Sequence, residues 1–289
     1  MTTIVSDKKP ILTVLSFSGG KQSSALLWMV LRGDIKKPDN FIVVNADPGM
    51  ENSTSYPYVD MLESKCNASD IPFIRVKRDL FTELMALKKS GATRFDNPPF
   101  WTKDRKTGKI GRLVQKCTGA YKIAPMDRAV RAYMELHLGI SSKSKRLGKD
   151  TVCKWIGFSF DEQGRIKQEK REYLYYEYPL VDEGYTKKDV DLYFVNNLLP
   201  IPSRSVCNAC FANDVDYLKE MYINRPKDWE QAVTVDEEIR DLNCIGIRDE
   251  CYVFSGCVSL KQLAVNSFIL LKGEKEVSDK LCQSGHCFL

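Results

Sequence analysis

The sequence predicts an α/β protein: a parallel sheet flanked by helices, followed by a smaller, cysteine-rich and mainly helical C-terminal module. Three observations carry that prediction. Apolar, β-branched runs alternate with helix-like stretches from residue 11 to the 190s. The runs end in turn residues, as buried strands of βαβ units do. Beyond residue 203 the alternation stops, and most of the ten cysteines follow. The expected division is therefore 1–202 and 203–289.

Each element has its own local reason. ILTVLSFS (11–18) is an apolar run that stops at a glycine pair and reads as a buried strand. KQSSALLWMVLRG then reads as a helix, with Ala25, Leu26, Met29 and Val30 on one face and Gly33 as its stop signal. FIVVNADPG (41–49) is a second strand, residues 54–65 are helical, IPFIRVKR (71–78) is a third strand, and a helix follows near 79–90. Residues 91–115, with Pro98-Pro99 and many charges, are expected to form a long loop over the sheet's ligand edge. A helix at about 120–138 and a strand in TVCKWIGFSF (151–160) come next. YYEYPLVD (175–182) closes that region, and Thr186 caps a helix in TKKDVDLYFVNNL.

Bulk properties exclude some classes. A chain of 289 residues buries one substantial core, or a core and a small module. No apolar run approaches the roughly 20 residues that a membrane span needs. MTTIVSDKKP lacks a signal peptide's hydrophobic stretch, so a cytoplasmic location without membrane attachment is expected. In a reducing compartment, spaced cysteine pairs favour a metal site or redox chemistry over a disulfide framework. The net charge of +5 is mild, but KDRKTGKIGR (103–112) and SSKSKRLGK (141–149) concentrate positive charge. Such runs are either solvated loops or contacts to the phosphates of a nucleotide or nucleic acid.

The strongest chemical signal is the strand that runs through Ser16 into Ser18-Gly19-Gly20 and then a helix. This arrangement aims backbone N–H groups and the positive end of a helix dipole at one place, which suits a phosphate. Gly19 and Gly20 allow close approach of an anion and a positive φ. Ser18, Ser23 and Ser24 add short hydroxyl donors, and the spacing is not that of a Walker A loop.

The full string SFSGGKQSSAL resembles the PP-loop, SGGxDS, of the N-type ATP pyrophosphatases of the adenine nucleotide α-hydrolase-like (HUP-type) fold. The similarity is to the branch holding phosphoadenylylsulfate (PAPS) reductases and phosphorothioation sulfurtransferases. Three further segments are similar in order: NADPGMENSTSYPYVDML, KCTGAYKIAPMDRAVRAYM and WIGFSFDEQGRIK. Together they span roughly residues 11–240. The resemblance implies ATP as ligand, with Asp47 and Glu51 on Mg²⁺ or a ribose hydroxyl. It places Cys117, Thr118, Lys122 and Arg128 near the ligand, Gly157 beside the adenine, and Glu162 and Arg165 facing phosphates or substrate. Lys122 and Arg165 are the expected catalytic cations. Gln22 stands where the wider superfamily has Asp, and an amide cannot supply that carboxylate's charge to Mg²⁺.

Cys207-Asn-Ala-Cys210 has the spacing with which two thiolates grip one metal from a turn, and a redox pair has the same spacing. The resemblance adds a ligand set. In the adenylylsulfate reductase branch, a central Cys-Cys pair and a later CxxC hold a four-iron four-sulfur cluster. Here the central pair is Lys116-Cys117, so three ligands match. Either the cluster keeps an open iron that takes up sulfide, or Cys282 or Cys287 of the tail CQSGHCFL completes the set. Thiolates suit zinc and iron–sulfur alike, and the sequence does not choose between them. His286 reads as an exposed tail residue, and Cys66, Cys153, Cys244, Cys251 and Cys257 read as small buried residues.

The activity that the resemblance implies is ATP cleavage between the α- and β-phosphates. A substrate would be adenylated, and sulfur from the metal site would displace the adenylate. A sulfur-donor protein and a nucleic acid, DNA or tRNA, are the expected partners. One alternative is reduction of an adenylylsulfate, with Cys282 or Cys287 attacking sulfur. The other is a non-catalytic nucleotide-binding subunit of a nucleic-acid modification or defence complex.

Overall fold

The computed structural model describes residues 9–141, 147–166 and 169–269. Among them are eight strands and nine α-helices: β1 (Leu12–Phe17), α1 (Lys21–Arg32), β2 (Phe41–Asp47), α2 (Ser55–Ala68), β3 (Phe73–Lys77) and α3 (Leu80–Leu87). Then follow β4 (Trp101–Lys103), β5 (Ile110–Arg112), α4 (Ala124–His137), β6 (Val152–Ile156), β7 (Leu174–Glu177) and α5 (Pro179–Asp182). The last are α6 (Lys187–Asn196), α7 (Val215–Asn224), α8 (Pro226–Glu238), β8 (Glu250–Tyr252) and α9 (Leu260–Val265). They fall into two compact units. The first comprises the described parts of Met1–Ala46, Thr54–Val76 and Pro125–Ser205; the second comprises those of Asp47–Ser53, Lys77–Ala124 and Val206–Leu289.

The first unit is built on a five-stranded parallel sheet in the order β3-β2-β1-β6-β7. Side chains alternate across a strand, and both faces here are covered. Leu15, Phe17, Phe41, Val43, Cys153 and Trp155 pack with α1, α2, α5 and α6 on one face. Leu12, Val14, Ile42, Val44, Val152 and Leu174 pack with Val130 and Met134 of α4 on the other. Burial on both faces is why β1 and β2 read as continuous apolar runs. Helix α1 departs from the one-sided pattern that its sequence suggests, because every residue from Ser23 to Val30 is buried. Gly33 stops it at φ 80°, as expected. Thr186 caps α6 through a reciprocal pair with Asp189.

A buried ion network ties α4 to the sheet. Lys154 on β6 pairs with Asp127, which also accepts from Arg171 Nη1 at 2.7 Å. Burial alone would raise the Asp127 carboxyl, but Lys154 and Arg171 outweigh it and hold the group below the ordinary carboxylate range. A depressed folded-state pKa contributes stability above the unfolded value of about 3.9. That contribution is lost as pH falls through the folded value. Asp127→Ala leaves Lys154 buried without its carboxylate, so a loss of about 3–5 kcal/mol is expected by urea unfolding at pH 7. The deficit relative to the parent should shrink as the parent is taken below pH 3.9 or so.

The second unit is assembled from segments far apart in sequence. Leu80, Leu84 and Leu87 of α3 share a core with Leu218 and Met221 of α7, Ala232 and Val235 of α8, and Leu260 and Leu263 of α9. The 202/203 division lies close to the last crossing, at Ser205/Val206, but 47–53 and 77–124 also belong with the C-terminal residues. The apolar face of α3 explains the grouping, since it is buried by those helices.

Residues 91–115 correct the expectation of a long loop. They contain the hairpin β4–β5, which joins β8 in a three-stranded antiparallel sheet ordered β5-β4-β8. Asp104 closes its turn by accepting from Lys106 N, Thr107 N and Thr107 Oγ1. The expected helix at 120–138 begins as a π-helical turn, Thr118–Ile123, that runs into α4. Among the described residues no helix is long and apolar enough to cross a membrane.

Candidate functional site

In the first unit the chain order of the strands reverses between β1 and β6. Open α/β sheets bind ligands at such a switch point, outside the strands' C-terminal ends. Ser18-Gly19-Gly20 follows β1 there, and Gly157 follows β6. Gly19 takes φ 79°, and Gly20 is the N-cap of α1 at φ −83° with no side chain capping the helix. The first-turn N–H groups of a helix have no intrahelical acceptor and need one from elsewhere.

The hydroxyls shape the loop. Ser18 and Ser23 Oγ atoms lie 3.0 Å apart, Gly20 N donates to Ser18 Oγ at 3.3 Å, and Ser23 Oγ donates to Gly20 O at 3.2 Å. Ser205 Oγ fixes the loop from outside by donating to Ser18 O at 2.6 Å. Ser24 is buried in α1, while Ser16 lies within β1 between Val44 of β2 and Ile156 of β6. A Cβ on Gly157 would sit 2.7 Å from Ser23 N, so only glycine lets β6 pass this close to the start of α1.

Gln22 has a specific partner. Its Nε2 donates to Glu162 Oε2 at 3.2 Å. The same oxygen accepts from Ser159 N and Oγ in a capping box that starts the 3₁₀ turn Phe160–Arg165. Glu162 also pairs with Arg165 and, at 3.4 Å, with Lys187. Arg165 lies over the Phe158 ring at 4.3 Å, and Phe158 stacks on Tyr178 at 5.6 Å. An aspartate at position 22 would face Glu162 as a like charge, whereas glutamine meets it as a donor. Lys187, Ser205 and Tyr178 carried no sequence signal, because each lies far along the chain from the loop it supports.

The cysteines lie in the second unit. Residues 50–52 and 206–208 run antiparallel: Glu51 bridges Cys207, Asn52 N donates to Val206 O at 3.1 Å, and Asn208 N to Met50 O at 2.7 Å. The CxxC turn closes with Cys210 N donating to Cys207 O at 3.0 Å. Asn213 Nδ2 braces it by donating to the carbonyls of Cys207 and Asn208. Helix α8 holds the other side. Asp228 accepts from Ser53 N and Oγ, and Gln231 Nε2 donates to Gly49 O.

Cys207 is partly buried, and burial pushes its thiol well up; Glu51, Cys210 and Cys117 add to the rise while Lys122 opposes it. Burial likewise raises Cys117, against the charge of Lys122 and hydrogen bonds from Thr118 and Gln115. Cys117, Cys207 and Cys210 therefore share one neighbourhood with Glu51 and Lys122, although 90 positions separate the first two. Lys122 Nζ donates to Glu51 Oε1 at 2.9 Å, and Cys207 Sγ lies 3.9 Å from the same oxygen. Glu51 thus faces the cysteines. Asp47, the last residue of β2, accepts from Gly49 N at 2.7 Å in a tight turn.

Among the described residues no group of three or more His, Cys, Asp and Glu side chains could hold a single metal ion. One zinc at about 2.3 Å from each sulfur demands tightly converged thiolates, and these residues do not supply them. In an iron–sulfur cluster the thiolates sit on separate irons, so they stand farther apart. Cys117, Cys207 and Cys210, each partly buried, lie near one another. Cys282, Cys287 and His286 lie outside the described residues. Cys66, Cys153, Cys251 and Cys257 are buried, but Cys244 is exposed, contrary to expectation, because its 3₁₀ turn, Asn243–Ile245, buries none of its residues.

The chain is thus an α/β protein with a glycine loop at the switch point of the first unit's parallel sheet, and with Cys117, Cys207 and Cys210 in its second unit. No family model matches the sequence, and no curated protein matches it. Among solved structures it is similar to the U34-tRNA thiolase NcsA from Methanococcus maripaludis with its [4Fe-4S] cluster. That match has 14% sequence identity and a TM-score of 0.40, and covers 93% of this chain and 86% of the other. At that score the likeness carries no argument about this chain.

Proposed function

We propose that the chain is a PP-loop ATP pyrophosphatase that adenylates a substrate for sulfur transfer, with an iron–sulfur cluster on Cys117, Cys207 and Cys210. The observation that carries this reading is the glycine loop at the switch point, with Gly19 at φ 79° and Gly20 opening α1. A substrate oxygen attacks the α-phosphorus, and pyrophosphate leaves with the electron pair of the broken P–O bond. Loop N–H groups and Arg165 stabilise the charge that builds on the phosphates. Sulfur then attacks the activated carbon, and AMP leaves with the former substrate oxygen. The cluster, when bound, supplies iron as a site for a sulfur ligand. Lys122, beside the cysteines and held by Glu51, favours the anionic form of whatever sulfur ligand arrives.

ATP and its Mg²⁺ belong to the first unit, with Ser18–Ser24, Gly157 and Glu162 as the binding residues. Gln22 brings no charge to the ion, so the triphosphate oxygens carry its coordination. Incubation with ATP against adenylylsulfate separates the main reading from its rival. Pyrophosphate from ATP supports adenylation, and sulfite from adenylylsulfate without pyrophosphate supports a reductase. ATP retained without turnover supports a binding subunit.

The hairpin β4–β5 favours a nucleic acid as acceptor. Lys103, Arg105, Lys106, Lys109 and Arg112 lie exposed on one short hairpin, and Arg105 is steadied by Arg248 O. Affinity for a fluorescent tRNA or DNA duplex should fall steeply with salt. Reversing Lys106 and Lys109 to Glu should flatten the log–log slope by about 0.9 per lost phosphate contact on a duplex, or about 0.7 on a single strand. Reversal of Lys143, Lys145 and Arg146, which lie outside the described residues, should act in the same direction. No binding at low salt would point to a small-molecule acceptor.

A further inference from the structure

The three-stranded sheet of the second unit turns one face inward and one outward, and strand register assigns side chains to each. Arg112, Trp101 and Tyr252 stand opposite one another across β5, β4 and β8, and so do Ile110, Lys103 and Glu250 two residues away. Side chains two residues apart share a face. The row between them, Gly111, Thr102 and Cys251, faces inward: Thr102 and Cys251 are buried, and Leu113 packs on the same core as Cys251. On the outward face Ile110 is 46% exposed, and Val114, two residues past Arg112, is 76% exposed. Trp101 shares that face yet is only 7% exposed. The Arg112 guanidinium lies over its ring at 5.7 Å and over the Phe211 ring at 5.3 Å, and Trp101 Nε1 donates to Phe211 O at 2.9 Å.

Other arginines of this unit hold carboxylates, as Arg78, Arg225 and Arg240 do. Arg112 is exposed and, among the described residues, has no ion pair or hydrogen bond; its contacts are the two rings. Lys103, Arg105, Lys106 and Lys109 are exposed beside it, also without an ion pair among the described residues. The nearby carboxylates are engaged: Asp104 closes the hairpin turn, and Glu250 accepts from Tyr252 Oη at 2.9 Å. We propose that this outward face takes an unpaired base of a single-stranded or looped nucleic acid. The base stacks on the outer side of the Arg112 guanidinium, flanked by Ile110 and Val114, and the hairpin cations hold the adjoining phosphates. The inference rests on the nucleic-acid reading of the hairpin above and deepens it. A guanidinium backed by rings presents its second flat side, and unstacked bases settle on such planes. Duplex bases are occupied in their own stack, so a duplex meets only the cations. Phe211 directly follows Cys210, which seats the platform beside the CxxC turn.

The test uses the full chain and fluorescein-labelled single strands of equal length, one bearing bases and one abasic throughout, each made with ribose and with deoxyribose. Both strands carry the same phosphates, so a difference in affinity reports the bases. The parent should bind the base-bearing strand at least about fivefold tighter than the abasic one, the low end of what one stacked base contributes. Arg112→Lys keeps the charge and removes the plane. It should close that gap and leave the salt dependence unchanged. Reversing Lys106 and Lys109 to Glu should do the opposite, flattening the salt dependence and keeping the gap. A gap larger with ribose than with deoxyribose assigns the surface to RNA, and equal gaps assign it to the base alone. The comparison of strands on the parent needs no variant, so it decides the question even where Arg112→Lys lowers the melting temperature.

Equal affinity of the parent for base-bearing and abasic strands overturns the proposal, while the hairpin stands as a phosphate-binding surface. A gap that persists undiminished in a folded Arg112→Lys also overturns it, because the bases then land elsewhere. Sedimentation of the same protein without nucleic acid addresses the open edge of β5. A dimer that Ile110→Lys dissolves gives the face to a second copy of the chain and overturns the proposal. No binding of any strand at low salt removes the nucleic-acid reading of the hairpin and this inference with it.

Discussion

Replacing Gly20 by valine is expected to weaken ATP binding at least about 100-fold, or roughly 2.7 kcal/mol, while the fold survives. The two loop glycines differ in what they ask of a side chain. Gly20 sits at φ −83°, which valine adopts freely, and a Cβ there meets only ordinary contacts at 3.4 Å with Ser18 Oγ and 3.7 Å with Ser205 Cβ. Its branched methyls then occupy the space in front of the first-turn N–H groups, where a phosphate would lie. Gly19 sits at φ 79°, and a Cβ there comes within 3.3 Å of Val59 Cγ2. Gly19→Val should therefore lose binding and also cost about 1–2 kcal/mol of stability from the left-handed backbone. Isothermal titration with ATP, alongside thermal melting, reads both effects. Parent-like affinity in Gly20→Val with an unchanged melting temperature would show that phosphates do not sit on this loop.

Cys207→Ser is expected to strip the metal and lower the melting temperature by several degrees, to the value of the chelator-treated parent. Cys207 packs between Glu51 and the core of the second unit, and burial there favours its protonated thiol. Metal binding must displace that proton, so its free energy becomes folding free energy. Cys210→Ser and Cys117→Ser should behave alike, despite the distance of Cys117 in sequence. Cys153→Ser, in a buried strand of the first unit, should retain all its metal. Equal iron in Cys207→Ser and parent would make these cysteines structural.

What the sequence reveals is what depends on neighbours along the chain. The strand, glycine pair and helix of 11–32 form a continuous signal, and so does the Thr186–Asp189 capping box. Their positions in the sheet follow from the apolar runs, because a parallel sheet buried on both faces leaves little else for such runs to do. What stays hidden depends on distant pairing. β4 and β5 have three residues each, too short for an alternating pattern to stand out. The union of α3 with α7, α8 and α9 rests on contacts 130 positions or more apart. Glu51 shows the same limit within the site. The sequence resemblance associates it with Mg²⁺ or ribose, and only the pairing of 50–52 with 206–208 turns it toward Cys207 and Lys122. Gln22 is the converse case: its oddity is visible in sequence, but its reason, the carboxylate of Glu162, lies 140 positions away.

The central claim is cleavage of ATP between the α- and β-phosphates, and the fate of each phosphorus tests it most directly. The protein is incubated anaerobically with Mg²⁺, hydrosulfide, bulk tRNA or DNA, and ATP labelled at either the α- or the γ-phosphorus, and the products are separated by thin-layer chromatography. The account predicts γ-label in pyrophosphate and α-label in AMP or an adenylated acceptor, in equal amounts, with both absent in Gly20→Val. Label from the γ-phosphorus appearing as orthophosphate, with the α-label in ADP, would contradict it.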